Sequence, residues 1–233
     1  MQMDKLLLML LLPRLYAIVD PAILPPAGNL FTFAQELFDG GCTWLQYRNK
    51  FGHARQMLED ARGLRHCLTH SNDTKNVALE WATGSRTNMQ NGVRLIMNDR
   101  ADLALAAEFD GVHVGQDDLL PESVRAIIGS DRWLGVSTHN PEQLAEADKT
   151  STDYLAIGPV FATSSKEKPD PVVGLEGVRR ARQLTRKPLV AIGGITRANA
   201  ASVIEAGADS VAVISDLLRD PRKSAEEFFR ILR

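Results

Sequence analysis

The sequence predicts an α/β fold: a single (β/α)8 TIM barrel over residues 1–233, with a polar insertion between its second and third strands. Three observations carry this reading. Short apolar runs alternate with longer stretches of helical period, which is how repeated βα units read. Eight such runs fit into 233 residues, close to the length of about 250 usual for a compact barrel. Several runs stop abruptly in carboxylates, amides or hydroxyls, and both barrels and open α/β sheets gather their chemistry at that strand edge.

The strand candidates are Leu15–Val19, Trp44–Tyr47, Leu95–Met97, Gly111–Val114, Trp133–Val136, Tyr154–Ile157, Leu189–Ile192 and Ser210–Ile214. They are nearly all apolar, as expected for parallel strands covered on both faces. Between them, Phe31–Phe38, Ala101–Phe109, Pro121–Ile128, Pro141–Ala147, Gly177–Leu184 and Ala198–Ala206 have helical character. Asn140 before Pro141 is a plausible helix start, as is Thr196 before the last of these segments. A dinucleotide-type open sheet would require a glycine-rich turn after its first strand. Val19-Asp-Pro-Ala22 follows instead, so the barrel is preferred. The interval from Tyr47 to Leu95 exceeds one helix, and its polar half, Ser71–Gln90, reads as a surface insertion or a lid.

Lysine and arginine total 27 against 29 aspartates and glutamates, so no global field points to nucleic acid or a membrane. Cys42 and Cys67 lack metal spacing and suit a reducing cytoplasm. Leu6–Leu12 is far shorter than the roughly 20 residues of a membrane helix. With no small-residue cleavage site after it, it reads as a packed cap or strand extension. His66 and His70 have helical spacing, but no third zinc ligand is evident.

The polar strand ends carry the chemistry. Asn98 and Asp99 close the third strand, and Gln116, Asp117 and Asp118 follow the fourth. Clustered oxygen donors without His or Cys suit a hard cation such as Mg2+, and therefore a phosphorylated small-molecule substrate. Gln46, Arg48 and Lys50 alternate after the second strand and project one way in extended backbone. They suit phosphate, or equally a solvated strand exit. Ser137 and Thr138 allow either ligand contact or a turn, and His113 and His139 are acid–base candidates or structural histidines. Gly158-Pro159, followed by a hydroxyl run closing on Lys166, reads as a phosphate cradle or a polar loop. Ile192-Gly-Gly-Ile195 and Val213-Ile-Ser-Asp216 stand where barrels often hold phosphate.

Taken together, Gln46-x-Arg48-x-Lys50, Asn98-Asp99-Arg100, Gly111-x-His-x-Gly-Gln-x-Asp118, Gly135-Val-Ser137, Thr163-x-Ser165-Lys166 and Ile192-Gly-Gly-Ile195 resemble the thiamine-phosphate synthases, in order, from about Leu15 to Leu218. The resemblance implies a Mg2+-dependent transferase of thiamine biosynthesis. Such an enzyme joins 4-amino-2-methyl-5-hydroxymethylpyrimidine diphosphate to a thiazole phosphate, carboxylated or plain, and releases pyrophosphate. It implies that Gln46, Arg48, Lys50, Asn98, Ser137 and Lys166 bind the pyrimidine diphosphate, and that Asp99 and Asp118 bind the metal. Thr163, Ser165, Gly194, Ile214 and Ser215 would hold the thiazole phosphate. No protein nucleophile is implied; the family is understood to pass through a pyrimidine methylene cation. Ala162-Thr-Ser-Ser-Lys166 departs from the family's usual Pro-Thr-x-Thr-Lys, with Ser165 keeping the hydroxyl. The competing readings are a thiazole tautomerase-like isomerase, which lacks parts of the diphosphate and metal set, and a non-catalytic thiamine-phosphate binding protein.

Overall fold

The computed structural model describes residues 12–25, 28–69, 92–163 and 170–233. The expected insertion at 71–90, His70, Ser165, Lys166 and residues 6–11 of the apolar run lie outside these described residues. The strands are β1 (Leu15–Val19), β2 (Trp44–Tyr47), β3 (Arg94–Asn98), β4 (Gly111–Val114), β5 (Trp133–Thr138), β6 (Tyr154–Ile157), β7 (Leu189–Ile192) and β8 (Ser210–Val213). The helices are α1 (Leu30–Asp39), α2 (Ala54–Thr69), α3 (Ala101–Ala106), α4 (Pro121–Ile128), α5 (Pro141–Asp148), α6 (Gly174–Leu184), α7 (Ala200–Glu205) and α8 (Pro221–Ile231). The strands pair in sequence order, all parallel, and β8 closes on β1.

Strand alternation divides the apolar residues into two sets. Leu15, Ala17, Val19, Leu45, Leu95, Val112, Leu155 and Leu189 pack in the large cluster that also takes in the buried faces of the helices. Tyr16, Ile18, Trp44, Ile96, Trp133, Tyr154, Ala156, Val190 and Ala212 form the second cluster, which fills the barrel. Trp44 and Trp133 meet edge to face at 4.9 Å, and the Arg94 guanidinium lies 5.8 and 5.5 Å from their ring centres. These three open β2, β5 and β3, so the amino-terminal end of the barrel is sealed and the opposite end remains for chemistry.

One device recurs at the sealed end. Asp110, Asp153 and Asp209, each just before an even-numbered strand, accept the Leu95, Leu134 and Leu189 N–H groups, all at 2.8 Å. Each is also gripped by an arginine from an outer helix: Arg65, Arg125 and Arg182. The carboxylate thus caps one strand while locking a helix to the sheet.

Element boundaries differ locally from the sequence expectations. The helix expected over Ala101–Phe109 ends at Ala106, because Glu108 takes a left-handed φ of 55° and Phe109 turns into the core. The segment expected to begin at Ala198 becomes helical at Ala200; Asn199 spends its side chain accepting the Thr196 N–H at 2.8 Å. Asn140 caps α5 as expected, accepting the Gln143 N–H at 2.8 Å. The last strand ends at Val213 rather than Ile214, whose φ of −119° and ψ of −77° leave the sheet.

Candidate active site

The inward phase of the strands delivers the polar residues to one place. On β1, Tyr16 and Ile18 lead to Asp20, and on β2, Trp44 leads to Gln46. Ile96 leads to Asn98, Trp133 to Gly135 and Ser137, and the register pairs Asn98 with His113. Gln46, Asn98 and His113 are buried and Ser137 is half-buried. Arg48, Lys50 and Gly194 continue the same parity just beyond their strands. The sequence-expected residues within the described chain therefore converge on the carboxyl-terminal mouth.

Charge is paired across that mouth. The Arg48 guanidinium donates to Asp20, which is 2% exposed and also accepts the Ala22 N–H at 3.0 Å. Lys50 donates from Nζ to Asp99. Asp99 has a φ of 62°, a left-handed conformation uncommon for a residue with a side chain. Its N–H donates to the His113 carbonyl at 2.8 Å, which pins it there. Asp99 and Asp118 act on each other at the mouth, one carboxyl raising the other's proton affinity. Burial, then the Asp118 contact, push Asp99 up to about 6 against the opposing Lys50. Burial also acts to raise Asp118, but the Asp99 hydrogen bond, the Gly115 N–H at 2.8 Å and Lys50 together hold it low. Asp117 is exposed and stands apart from the pair.

His113 is buried, and desolvation lowers its pKa to about 4, so it is neutral. Its Nδ1 lies 3.0 Å from Tyr154 Oη and its Nε2 lies 2.8 Å from Ser137 Oγ. Tyr154 Oη lies 3.0 Å from Tyr16 Oη, to which Gln46 Nε2 donates at 2.8 Å. His139 ties loops together instead: Nδ1 contacts the Gly158 carbonyl at 2.6 Å, and Nε2 faces Asp170 at 3.5 Å.

On the other side of the mouth, Gly193 and Gly194 take φ of 99° and 64°. A Cβ at Gly194 would sit 2.5 Å from the Ala162 carbonyl oxygen, and one at Gly193 2.5 Å from Pro159 Cβ. Only glycine lets this turn press against the loop after β6. Arg197 clamps the turn to the β8 exit, where Ser215–Leu217 form a 3-10 turn. It donates to Asp216 Oδ2 from its backbone N–H at 2.8 Å and from Nε at 3.0 Å, to Oδ1 from Nη2 at 3.1 Å, and also pairs with Glu227 on α8. Among the described residues the Gly194 and Ser215 N–H groups have no acceptor. Thr163 lies beside this region, while Ser165 and Lys166 belong to the residues not described.

Sequence reading overlooked Asp20, Tyr16 and Tyr154. Asp20 served only as evidence against another fold, and both tyrosines pass as strand core. For Asp20 the signal was available: an acid in inward phase at a strand end, beside one that ends in Gln-x-Arg-x-Lys.

With this geometry in place, comparison with known proteins decides the family. The family model described as thiamine monophosphate synthase matches residues 15–217. The chain belongs to that family. A thiamine-phosphate synthase from Koribacter versatilis is 57% identical over 224 residues, covering 95% of this chain and 96% of the relative. One from Chloroflexus aurantiacus is 41% identical over 202 residues, covering 87% and 83% respectively. Among solved structures, the thiamine phosphate pyrophosphorylase from Pyrococcus furiosus superposes with a TM-score of 0.76 at 31% identity, covering 94% of this chain and 95% of that one. Relatives of that family thus match this chain over most of its length, in sequence and in fold.

Proposed function

We propose that this chain is a thiamine-phosphate synthase acting on 4-amino-2-methyl-5-hydroxymethylpyrimidine diphosphate and a thiazole ethyl phosphate. The products are thiamine phosphate and pyrophosphate. The observation that carries the reading is the gathering of Arg48, Lys50, Asp99 and Asp118 at one barrel mouth, in a chain of this family. A tautomerase-like isomerase has no need of that diphosphate and metal set.

The donor set fits magnesium. Asp99 and Asp118 offer only oxygens, and among the described residues no group of three or more His, Cys, Asp or Glu could hold a metal. Two carboxylates suit an ion that completes its shell with water and substrate phosphate. When bound, the ion supplies neutralisation of charge on the departing pyrophosphate. Arg48 provides a planar donor fork, and Lys50 a mobile cation able to leave Asp99 for a phosphate oxygen. Asn98, Ser137 and Gln46 orient the pyrimidine, with Lys166 completing that half. The N–H groups of Gly194 and Ser215, with Thr163, Ser165 and Ile214, take the thiazole phosphate. No residue acts as nucleophile; positioning and electrostatics do the work.

We also read the chain as one domain with residues 71–90 inserted in the barrel, working in the cytoplasm. Among the described residues no helix is long and apolar enough to cross a membrane. The test is direct: purified protein, both substrates and Mg2+ should give thiamine phosphate on chromatography. Folded protein that binds thiamine phosphate without making it would favour the binding-protein reading.

A further inference from the structure

The buried contacts from Gln46 to Ser137 form one unbroken hydrogen-bonded chain across the barrel, through Tyr16, Tyr154 and His113. It joins β2 to β1, crosses the interior to β6, and returns through β4 to β5. Tyr16 and Tyr154 are 1% and 0% exposed, so each hydroxyl proton must find an acceptor within the protein.

That requirement gives the chain a direction. Tyr16 Oη accepts from Gln46 Nε2, and the acceptor available for its own proton is Tyr154 Oη. Tyr154 must then donate to His113 Nδ1, since the Tyr16 proton occupies the space between the two phenols. With Nδ1 accepting, the neutral imidazole carries its proton on Nε2 and donates to Ser137 Oγ. Ser137 Oγ, already an acceptor, has no acceptor of its own among the described residues and keeps its O–H for another molecule. At the opposite end, one N–H of the Gln46 amide is given to Tyr16, and its Oε1 makes no hydrogen bond among the described residues and stays available as an acceptor. The two ends therefore offer opposite hydrogen-bonding character: an acceptor at Gln46 and a donor at Ser137.

The geometry also accounts for Gly135. A Cβ there would occupy the position of the Tyr154 ring tip and hydroxyl, so the glycine two residues before Ser137 makes room for the phenol that sets it.

We propose that Tyr154 and Tyr16 are positioning residues that fix His113 as the Nε2–H tautomer, making Ser137 a donor and Gln46 an acceptor for the aminopyrimidine. The inference rests on the substrate reading above. An aminopyrimidine presents an amine donor beside a ring-nitrogen acceptor, whereas its oxo analogue reverses both. A site with fixed opposite ends selects the first and rejects the second, because the wrong edge leaves buried polar groups unpaired.

Two measurements on the full chain test this. The first is nitrogen NMR of protein carrying 15N-histidine, with the His113 signals identified by their loss in His113→Gln. The proposal requires the Nε2–H tautomer in the wild type and weakening of that signature in Tyr154→Phe; an Nδ1–H tautomer in the wild type would overturn it. This readout needs no turnover, so it stands apart from the synthase assignment, which fails separately if the wild type makes no thiamine phosphate. The second is steady-state kinetics of Tyr154→Phe and Tyr16→Phe with the aminopyrimidine diphosphate and its oxo analogue. The KM for the aminopyrimidine should rise about tenfold, the effect of one hydrogen bond, with selectivity over the oxo compound falling and the KM for the thiazole phosphate nearly unchanged. Equal rises in both KM values, or undiminished selectivity, would mean the phenols only pack. Should Tyr154→Phe not fold, Tyr16→Phe and the wild-type tautomer decide the matter.

Discussion

Arg48 reaches from the end of β2 to the carboxylate of Asp20 at the end of β1, so the arginine proposed to hold the diphosphate also ties two strands together at the barrel rim. Asp20 is almost wholly enclosed, and that guanidinium is its ion-pair partner. Arg48→Ala should weaken diphosphate binding and destabilise the fold by about 3–5 kcal/mol, the usual result of orphaning a buried charge. Arg48→Ala combined with Asp20→Asn should recover most of the melting temperature but not the KM for the diphosphate. A double variant that melts no higher than Arg48→Ala would refute the coupling.

Together with burial, Asp118 helps to push the Asp99 carboxyl up to about 6, and a divalent cation would offset the charge that the two carboxyls bring together. Asp99→Ala and Asp118→Ala should each lower turnover by orders of magnitude, since a metal supplies several kcal/mol of transition-state stabilisation. Each should also blunt the response of pyrophosphate release to magnesium concentration. Near-normal, magnesium-responsive turnover in both variants would remove them from the metal site.

Gly194 combines a left-handed φ of 64° with a Cβ position 2.5 Å from the Ala162 carbonyl. Gly194→Ala should therefore displace the loop after β6 and raise the KM for the thiazole phosphate far more than that for the pyrimidine diphosphate. The opposite ordering in initial-rate measurements would place the thiazole phosphate elsewhere.

His113 stays neutral in the fold down to about 4, while in the unfolded chain it titrates at its ordinary value of 6.5. Below that ordinary value unfolding takes up a proton, so the stability from keeping His113 neutral is complete above 6.5 and drains away as pH falls towards about 4. The loss is on the order of 3 kcal/mol from the size of the shift. Denaturant titrations across this range should show it, and His113→Gln should flatten that segment of the profile. Parallel profiles would mean that His113 is not held neutral.

The barrel was legible because parallel strands buried on both faces leave short apolar runs such as Leu189–Ile192, set off by capped helices such as the one that Asn140 begins. The mouth was legible where chemistry interrupts such a run, as at Asn98-Asp99 and Gln46-x-Arg48-x-Lys50. The interior wire was not. Tyr16 and Tyr154 lie 138 residues apart, and each reads as an ordinary core aromatic until the closed barrel sets their hydroxyls 3.0 Å from each other. The Asp20–Arg48 pair was hidden in the same way, because its partners meet only through the β1–β2 register.

This mouth is proposed to couple two phosphorylated substrates with loss of pyrophosphate. The most direct measurement is pyrophosphate release by the purified chain with each substrate alone and with both, with and without Mg2+. Synthase chemistry predicts release only when both substrates and the metal are present, matched by equal thiamine phosphate. Release from the pyrimidine diphosphate alone at the same rate, or none from folded protein under any condition, would contradict it.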